Sequence, residues 1–281
     1  MNVPKRFAVA SLLALVGGLL WGQLAPSPPD RIVFVAVGQG DCTVLQSEGY
    51  TALIDCGPAN EFVDAGREIV DPELEALGAH AVDLLILTHP DADHVGGIVS
   101  VARRFSVGKV VIPAGFRNDA VLLKRFEDAG LSGSQVMWLK VECTVRLGRF
   151  ALRLDPPPYS PNQPDNEGSM FTRVEEGRAT AVLSGDAPAK TELEVLGEGE
   201  DWNAQLLHVG HHGSETSSCE AWLTSVRPAI GVISCGRNNI YHHPRPATLE
   251  RLAADGIEVH RTDVEGTLEY RVSPGGFVRA R

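Results

Sequence analysis

The stretch "LTHPDADHVGG", residues 87–97, sets His89, Asp91, Asp93 and His94 inside six residues, directly after the apolar run "VDLLIL". That run is too short for an independent helix and reads as a fully buried strand. Reactive side chains gather where buried strands end, because the backbone there is free of ladder bonding while its anchor stays rigid. Alternation along the turn places His89 and Asp91 on one side, with Asp93 and His94 turned to another, an arrangement able to hold two cations. A single Asp or His in a turn is usually a cap or a solvated group. Four within six residues outweigh that reading. Gly96 and Gly97 follow, where a helix can approach closely.

Working outward, "RIVFVAV", "CTVLQ" and "YTALID" are short β-branched runs separated by Gly-rich turns, a strand followed by a hairpin. Helical spacing runs over 61–79, with Pro72 placed to start a second helical piece after Asp71. After the polar turn come a helix "VGGIVSVARRF", a strand "KVVIP", a helix over 118–129, and strands over 135–140 and 144–154. Residues 155–168 hold five prolines and read as a long loop. The second half repeats the alternation. It reads as strands "MFTRV" and "ATAVLSGD", a helix from Pro188, strand "AQLLHVG", helix "EAWLTSV", strand "AIGVIS", helix "PATLERLAADG", and strands "IEVHRT" and "GTLEYRV". Hairpins mixed with strand-helix units predict two sheets packed face to face, with helices outside and loops converging on one edge.

Length and composition agree with one folded unit. The chain has 281 residues, 43% of them hydrophobic, with no internal repeat or low-complexity tract. Lys5 and Arg6 precede an apolar run over 7–21, the charge-then-apolar order of a secretory signal, short of the roughly 20 residues of a comfortable membrane span. Residues 1–25 are therefore read as a signal peptide or an uncleaved N-terminal anchor, 26–30 as a Pro-rich tether, and 31–281 as the folded domain. An exported, extracytoplasmic protein is the expectation, secreted or membrane-associated through its N-terminal segment. If the segment is retained, Lys5 and Arg6 put the N-terminus inside and the domain outside.

The formal net charge is −11, and loss of residues 1–25 would make it −13, since Lys5 and Arg6 leave and no acid does. Such a surface repels polyanions at long range and excludes a general nucleic-acid-binding face. A phosphate-bearing substrate must then be captured locally, by metal, and no protein partner is predicted. Five cysteines (Cys42, Cys56, Cys143, Cys219, Cys235) lack the CxxC spacing of a zinc knuckle. In an exported protein Cys42 and Cys56, flanking the hairpin, are candidates for a disulfide; free core thiols are the other reading.

The stretch "THPDADHVGG" resembles the His-x-His-x-Asp-His signature of the metallo-β-lactamase superfamily, with Asp91 in place of the second histidine. "VGQGDCTVLQSEGYTALIDCG", "NEGSMFTRV", "AVLSGD", "LLHVGHHGSETS" and "ISCGRNNIYHHPRPATLERLAADGIEVHRTD" follow in the order seen in the C-terminal metallo-β-lactamase-like domain of ComEC-type competence proteins. The resemblance covers 31–272. The multi-helix membrane channel of those proteins has no counterpart in this sequence, so a DNA-uptake channel role is not implied.

The resemblance implies an α/β fold, a four-layer αββα sandwich with a divalent-metal site of one or two ions at one edge. Carried over by position, His89 and Asp91 would serve one metal, Asp93 and His94 the second, Asp186 would bridge both, and His211 or His212 would complete the second site. Carboxylates and imidazoles suit Mn²⁺ or Zn²⁺. Asp186 has another reading, as the N-cap of "PAKTELEVL". Many superfamily members use a histidine from mid-chain, yet none lies between His94 and His208. "PDNEGS" occupies that place, offering Asp165, Asn166 or Ser169, and oxygen-rich ligation there favours Mn²⁺ over Zn²⁺.

"GHHGSETSS" offers the hydroxyls of Ser214, Thr216 and Ser217 to a tetrahedral anion, or else a cap for "CEAWLTSV" from Ser217 or Ser218. Asp93 and His243 are the residues expected in catalysis. His243, in "YHHPRP", fits the family's Tyr-x-His-Pro and would protonate a leaving oxygen or orient phosphate. His242 reads as solvated, and His80, His208 and His260 as structural. The expected activity is metal-assisted hydrolysis of a phosphodiester, by in-line attack of hydroxide held between the cations. The family points to DNA, and the acidic surface to a short single strand or a small phosphodiester. Hydrolysis of a lactone, thioester or β-lactam, and an anchored non-catalytic metal-binding module, are the competing functions.

Overall fold

The computed structural model describes residues 29–160 and 164–281, and the apolar run before the His/Asp turn is there a buried strand, β4 (Val82–Ile86). Leu84 and Ile86 pack between the two sheets, while Leu85 and Leu87 face a layer of helices. Burial on both faces is why the run is continuously apolar rather than alternating. β4 lies in an eight-stranded sheet with β1 (Arg31–Phe34), β2 (Thr43–Ser47), β3 (Tyr50–Ile54), β5 (Val107–Pro113), β6 (Val136–Leu139), β14 (Leu268–Ser273) and β15 (Gly276–Arg279). Their order is β15-β14-β1-β2-β3-β4-β5-β6, parallel from β3 to β6.

The second sheet has seven strands: β7 (Cys143–Leu147), β8 (Phe150–Asp155), β9 (Phe171–Glu176), β10 (Ala179–Leu183), β11 (Leu206–His208), β12 (Ile230–Ile233) and β13 (Glu258–Arg261). It runs in the order β13-β12-β11-β10-β9-β8-β7 and is parallel from β10 to β13. Ile32, Phe34, Leu152, Leu183 and Leu206 fill the space between the sheets. Helices α1 (Asp71–Ala76), α3 (Ile98–Arg104) and α4 (Ala120–Asp128) cover the first sheet through Leu74, Val101 and Phe126. Helices α5 (Ala189–Gly197), α6 (Glu220–Val226) and α7 (Pro246–Ala254) cover the second through Val195, Trp222 and Leu252. The result is the four-layer αββα sandwich expected from the sequence. The C-terminal ends of the parallel strands in both sheets open on one edge, the usual place for a site in an α/β sheet.

Two glycines make that edge possible. A Cβ on Gly96 would stand 2.1 Å from the Ala59 backbone nitrogen, and Gly66 packs on Gly97 so closely that a Cβ on Gly66 would lie 2.8 Å from the Gly97 Cα. The helical layer can sit directly behind the His/Asp turn only because both side chains are missing.

Several elements differ from the sequence reading. The helix expected over 61–79 begins only at Gly66, as a π-turn (Gly66–Val70) running into α1. The Asn60 side chain accepts the N–H groups of Phe62 and Val63 at 2.8 and 3.0 Å, holding the preceding residues in a turn. Pro72 does open the second helical piece. The helix expected as "VGGIVSVARRF" begins only at Ile98, as α3, while the His/Asp turn before it holds a short helix of its own, α2 (Ala92–Val95); the strand expected over 144–154 is the β7–β8 hairpin, turning at Gly148 with φ +55°. β15 was not anticipated. Strand "GTLEYRV" belongs to the first sheet, where β14 pairs with β1, rather than to the second half's own sheet. Cys42 and Cys56 form no disulfide; both are buried free thiols, pushed well above their ordinary range by burial.

Among the described residues no helix is long and apolar enough to cross a membrane. The expected signal or anchor over 1–25, and the tether up to residue 28, lie outside the described residues. Asp30 is part of the fold: it is buried, its carboxylate accepts from Arg149 Nε at 2.7 Å, and its carbonyl accepts from the Val272 N–H at 2.8 Å.

Candidate metal centre

The turn after β4 is stitched into place by backbone. The Asp93 carbonyl accepts from Asp41 N–H, the His94 carbonyl from Cys56 N–H, and the Gly57 carbonyl from Gly97 N–H, at 3.2, 2.7 and 3.0 Å. His89 and His94 are thereby driven inward and fully buried, their rings 4.1 Å apart. From the second sheet, Asp186 arrives just beyond β10, and His211 and His212 beyond β11. His211, His212 and, at the end of β3, Asp55 all adopt left-handed backbone (φ +52°, +55° and +61°). For residues with a Cβ this costs roughly 1 kcal/mol or more each, strain of the kind that collects at functional sites.

Three of the imidazoles are held by one nitrogen so that the other points to a common centre. His94 Nδ1 donates to Asp55 Oδ2 at 2.8 Å, and His212 Nδ1 to the Ser234 carbonyl at 3.0 Å. Thr88 Oγ1 donates to Asp55 Oδ2 at 2.7 Å and accepts from His89 Nδ1 at 3.0 Å, while its backbone N–H binds Asp55 Oδ1 at 2.9 Å. With a cation bound and the protons on the Nδ1 positions, each Nε2 would present a lone pair inward; without one, His212 Nε2 shares a proton with Asp93 Oδ2. His94 Nε2 lies 3.3 Å from Asp186 Oδ1, and His212 Nε2 lies 3.3 Å from Asp93 and 3.7 Å from Asp186.

His89, His94 and Asp186 form one triad of donor atoms within 4.8 Å of one another, and Asp93, His94 and His212 form a second. Asp41 joins Asp186 and His212 in a third, and Asp55 and His94 in a fourth. His89 Nε2, His94 Nε2, Asp186 Oδ1 and Asp41 Oδ1 are buried without any hydrogen bond. Such atoms are costly unless something satisfies them. A divalent cation would satisfy them, and the donors fit one: neutral imidazoles and carboxylates on a hard or borderline ion.

The charges follow the same geometry. Burial opposes ionisation of Asp186, yet His212 and His94 beside it hold its carboxyl well below the usual range. Asp93 is lowered against burial chiefly by its hydrogen bond to His212, and Asp41 is lowered to about 2 by His208 and His212. Conversely, Asp186 with Asp55 raises His94 well above its ordinary value, and Asp186 with Asp41 does the same for His212, in both cases against burial. Burial lowers His208 and His211, and Asp41 and Asp186 only partly offset it.

Each expected site residue can now be placed. His89, Asp93, His94, Asp186, His211 and His212 are brought together, with His211 Nε2 at 3.5 Å from Asp186 Oδ2. Asp91 stays at the rim, its side chain 41% exposed and 3.5 Å from His89 Nε2, so His89 is grouped with His94 and Asp186 rather than with Asp91 alone. Asp186 is not a helix cap: the N-cap of α5 is Pro188, and no side chain caps the helix. In the mid-chain position, Asn166 Nδ2 comes 3.5 Å from His211 Nε2, and Ser169 is buried with its hydroxyl unpaired.

Ser214 and Thr216 hydrogen-bond each other at 3.0 Å, and Ser217 donates to the Ala187 carbonyl, so these hydroxyls lock the turn. Neither Ser217 nor Ser218 caps α6, which has no side-chain cap; the buried Glu192 instead holds the segment just before the helix, accepting the N–H groups of Ser218 and Cys219 at 2.6 and 2.9 Å. His243 faces the centre, its ring 5.6 Å from that of His211 and its Nδ1 buried without a partner. His208 is a core ring, stacked on Phe34 and hydrogen-bonded to Ser234 Oγ at 2.9 Å, though it also lies 3.7 Å from Asp41. Sequence reasoning missed Asp41, Asp55 and Thr88. The signal was present: "GQGD" and "ALID" each set an aspartate at the end of an apolar run, as "LTHPDADH" does.

Residues 35–237 match the family model of the Metallo-beta-lactamase superfamily. The chain is 30% identical over 295 residues to ComE operon protein 3 of Bacillus subtilis (strain 168), an alignment covering 96% of this chain and 37% of that protein. It is 32% identical over 260 residues to Competence protein ComA of Neisseria gonorrhoeae, covering 92% and 35%. The chain thus spans about a third of the length of these curated relatives. Among solved structures, YhfI from Bacillus subtilis superposes with a TM-score of 0.57 at 13% identity, over 85% of this chain and 99% of that one. Tm1679, described as a metal-dependent hydrolase of the beta-lactamase superfamily, gives 0.55 at 14% identity, over 87% and 99%. At such identities the likeness is one of fold. With the αββα layers, the edge site and the family match in agreement, the chain belongs to the metallo-beta-lactamase superfamily, and its relatives there are ComEC-type competence proteins.

Proposed function

We propose that the chain is a metal-dependent phosphodiesterase that takes a single-stranded nucleic acid or a smaller phosphodiester. The metal-dependent hydrolase fold supplies the frame. The observation that carries the reading is the convergence of His89 Nε2, His94 Nε2 and Asp186 Oδ1, buried and without hydrogen bonds, on one point beside the Asp93–His212 pair. When bound there, Mn²⁺ or Zn²⁺ would polarise a phosphoryl oxygen and bring the ionisation of water near neutrality.

The chain's own residues do the rest. His89, His94 and His212 would present Nε2 lone pairs to a bound cation, their direction fixed from behind by Thr88, Asp55 and the Ser234 carbonyl. Asp186 lies between the two imidazole groups and can serve both. His243 is held down to about 4 by burial and then by the neighbouring imidazoles of His211 and His212. It is therefore neutral at pH 7, which suits it to orient a phosphate oxygen by hydrogen bonding better than to protonate a leaving group. The sequence has no histidine between His94 and His208, where a carbonyl hydrolase of this family would want one, which favours phosphoryl over lactone, thioester or β-lactam chemistry. The name of one relative, Competence protein ComA, supports a nucleic-acid substrate. Export through residues 1–25 belongs to the same reading. N-terminal sequencing of the protein from fractionated cells would show whether they are removed, and a cytoplasmic location would refute export.

The test is the full chain stripped of metal, resupplied with Mn²⁺ or Zn²⁺ and assayed on bis(p-nitrophenyl) phosphate beside an Asp186→Asn variant. Metal-dependent turnover that is lost in the variant is expected. Stoichiometric metal binding without turnover would sink the phosphodiesterase reading, and turnover of nitrocefin instead would move it to carbonyl hydrolysis.

A further inference from the structure

Beside the metal centre, and separate from its ligands, lies a cleft of about 460 Å³ lined by Arg237, Asn239, His242, His243, Arg261 and Asp263, with Pro244 and Val264. Three features set it apart in a chain of net charge −11. First, its cationic side is uncompensated. Asp263 is already neutralised by a two-pronged pair with Arg261 (2.7 and 2.9 Å). Arg237 instead donates Nε and Nη2 to the Asp263 carbonyl at 3.2 and 3.1 Å, which fixes the guanidinium without cancelling its charge. Among the described residues Arg237 has no carboxylate partner. Second, the rim of the loop carries an aromatic shelf. Tyr241 is 53% exposed and stacks on His243 at 5.8 Å with 26° between ring planes, while Ile240 beside it is 82% exposed. Third, the floor is rigid: Asn239 accepts from His243 N–H at 2.9 Å and donates to the carbonyls of Gly236 and His243 at 2.8 and 2.6 Å.

A fixed guanidinium next to an exposed ring, one ring away from a hydrolytic centre, matches a nucleotide: phosphate on the cation, base on the ring. A small phosphodiester without a base or aryl group has nothing to place on Tyr241. We propose that this cleft is the subsite for the nucleotide flanking the scissile phosphate of a single-stranded polynucleotide, with Arg237 taking its phosphate and Tyr241 stacking its base. The inference rests on the phosphodiesterase reading for its place in catalysis, and it makes the polynucleotide, rather than a small diester, the substrate class. Local capture of this kind also reconciles a polyanionic substrate with an acidic chain.

The test separates binding from chemistry. Fluorescein-labelled dT12, rU12 and an abasic 12-mer are titrated with the full chain in EDTA at one fixed ionic strength, followed by anisotropy, for wild type, Arg237→Ala and Tyr241→Ala. Wild type should bind a base-carrying oligomer better than the abasic one, and the tighter of dT12 and rU12 identifies the source. Tyr241→Ala should weaken binding of that oligomer by roughly fivefold to a hundredfold, the range of one lost base–aromatic stack, and bring it to the abasic level. Arg237→Ala should weaken all three alike. Equal binding of abasic and base-carrying oligomers by wild type, or variants that bind like wild type with unchanged circular dichroism, would overturn the proposal. Failure to hydrolyse bis(p-nitrophenyl) phosphate with intact oligomer binding would instead sink the phosphodiesterase reading and leave the cleft standing.

Discussion

Replacing Asp55 by Asn changes one oxygen to a nitrogen and leaves the packing volume alone, so it tests the proton order behind the metal centre. Asp55 Oδ2 accepts from both Thr88 Oγ1 and His94 Nδ1, and Oδ1 accepts from the Thr88 N–H. An amide can keep the Oδ1 bond, but its Nδ2 donates where Oδ2 accepted. His94 must then accept at Nδ1 and carry its proton on Nε2, the atom aimed at the centre. Thr88, no longer able to donate to Asp55, turns its hydroxyl proton toward His89 Nδ1 and moves that tautomer as well. Loss of one such supporting carboxylate ordinarily costs 10- to 100-fold in metal affinity, about 1.4–2.7 kcal/mol, and two affected ligands place this variant at the upper end. The assay is Mn²⁺ and Zn²⁺ titration against a chromogenic chelator at pH 7.5, with the melting temperature in EDTA as a control for folding. Affinity within twofold of wild type, while Asp186→Asn abolishes binding, would refute the tautomer argument.

Four further outcomes are expected. In EDTA, the raised His94 and His212 contribute stability that is fully present below the unfolded value near 6.5 and lost as pH rises through their folded values. The lowered Asp41, Asp93 and Asp186 contribute stability present above 3.8 and lost as pH falls. The melting temperature of the chelated protein should therefore peak between about pH 4 and 6.5 and decline toward pH 9, and added metal should abolish that decline; a chelated protein most stable at pH 9 would contradict this. Asp155, raised to about 6 by burial and by Glu198 and Glu142, with Oδ2 buried and unpaired, is a liability at neutral pH. Asp155→Asn should stabilise the fold by up to about 3 kcal/mol at pH 8 in urea unfolding, an effect that vanishes by pH 4. Glu192→Ala should cost about 2–3 kcal/mol in the same assay, because the N–H groups of Ser218 and Cys219, just before α6, lose their charged acceptor.

Much of this architecture was legible in the chain because local and global signals agree in it. The run 82–87 is apolar on both faces since it is buried on both, and Pro72 starts a helix because its missing N–H falls where none is needed. The four-residue cluster announced the centre for the same reason: nothing else accounts for so many polar groups at the end of a buried strand. What could not be read was pairing at a distance. The last hairpin returning to β1, and Asp41 and Asp55 reaching His212 and His94 across 171 and 39 positions, leave no periodicity in the sequence. The tendency to assign a lone aspartate at a strand end to a turn hid both. Asn60 shows the opposite failure, where a side chain bonding its own neighbours overrode helical spacing in the residues that follow it.

Charge balance ties these features to function. Asp41, Asp55, Asp93 and Asp186 crowd one small region, three of them no more than 3% exposed, and among the described residues their ion-pair partners are all histidines, with no Lys or Arg. Unpaired buried carboxylates cost several kcal/mol each, so the fold must admit positive charge here. Protons on His94 and His212 offer two units; they also close the Nε2 lone pairs and leave the other carboxylates uncompensated. Divalent cations supply up to four units while leaving the imidazoles neutral and coordinating. Arginine in place of these histidines would carry a fixed charge and offer no lone pair, so it could not bind metal. The use of histidine throughout is what makes proton and metal compete for the same atoms, and it is why metal should both stabilise this fold and remove its dependence on pH.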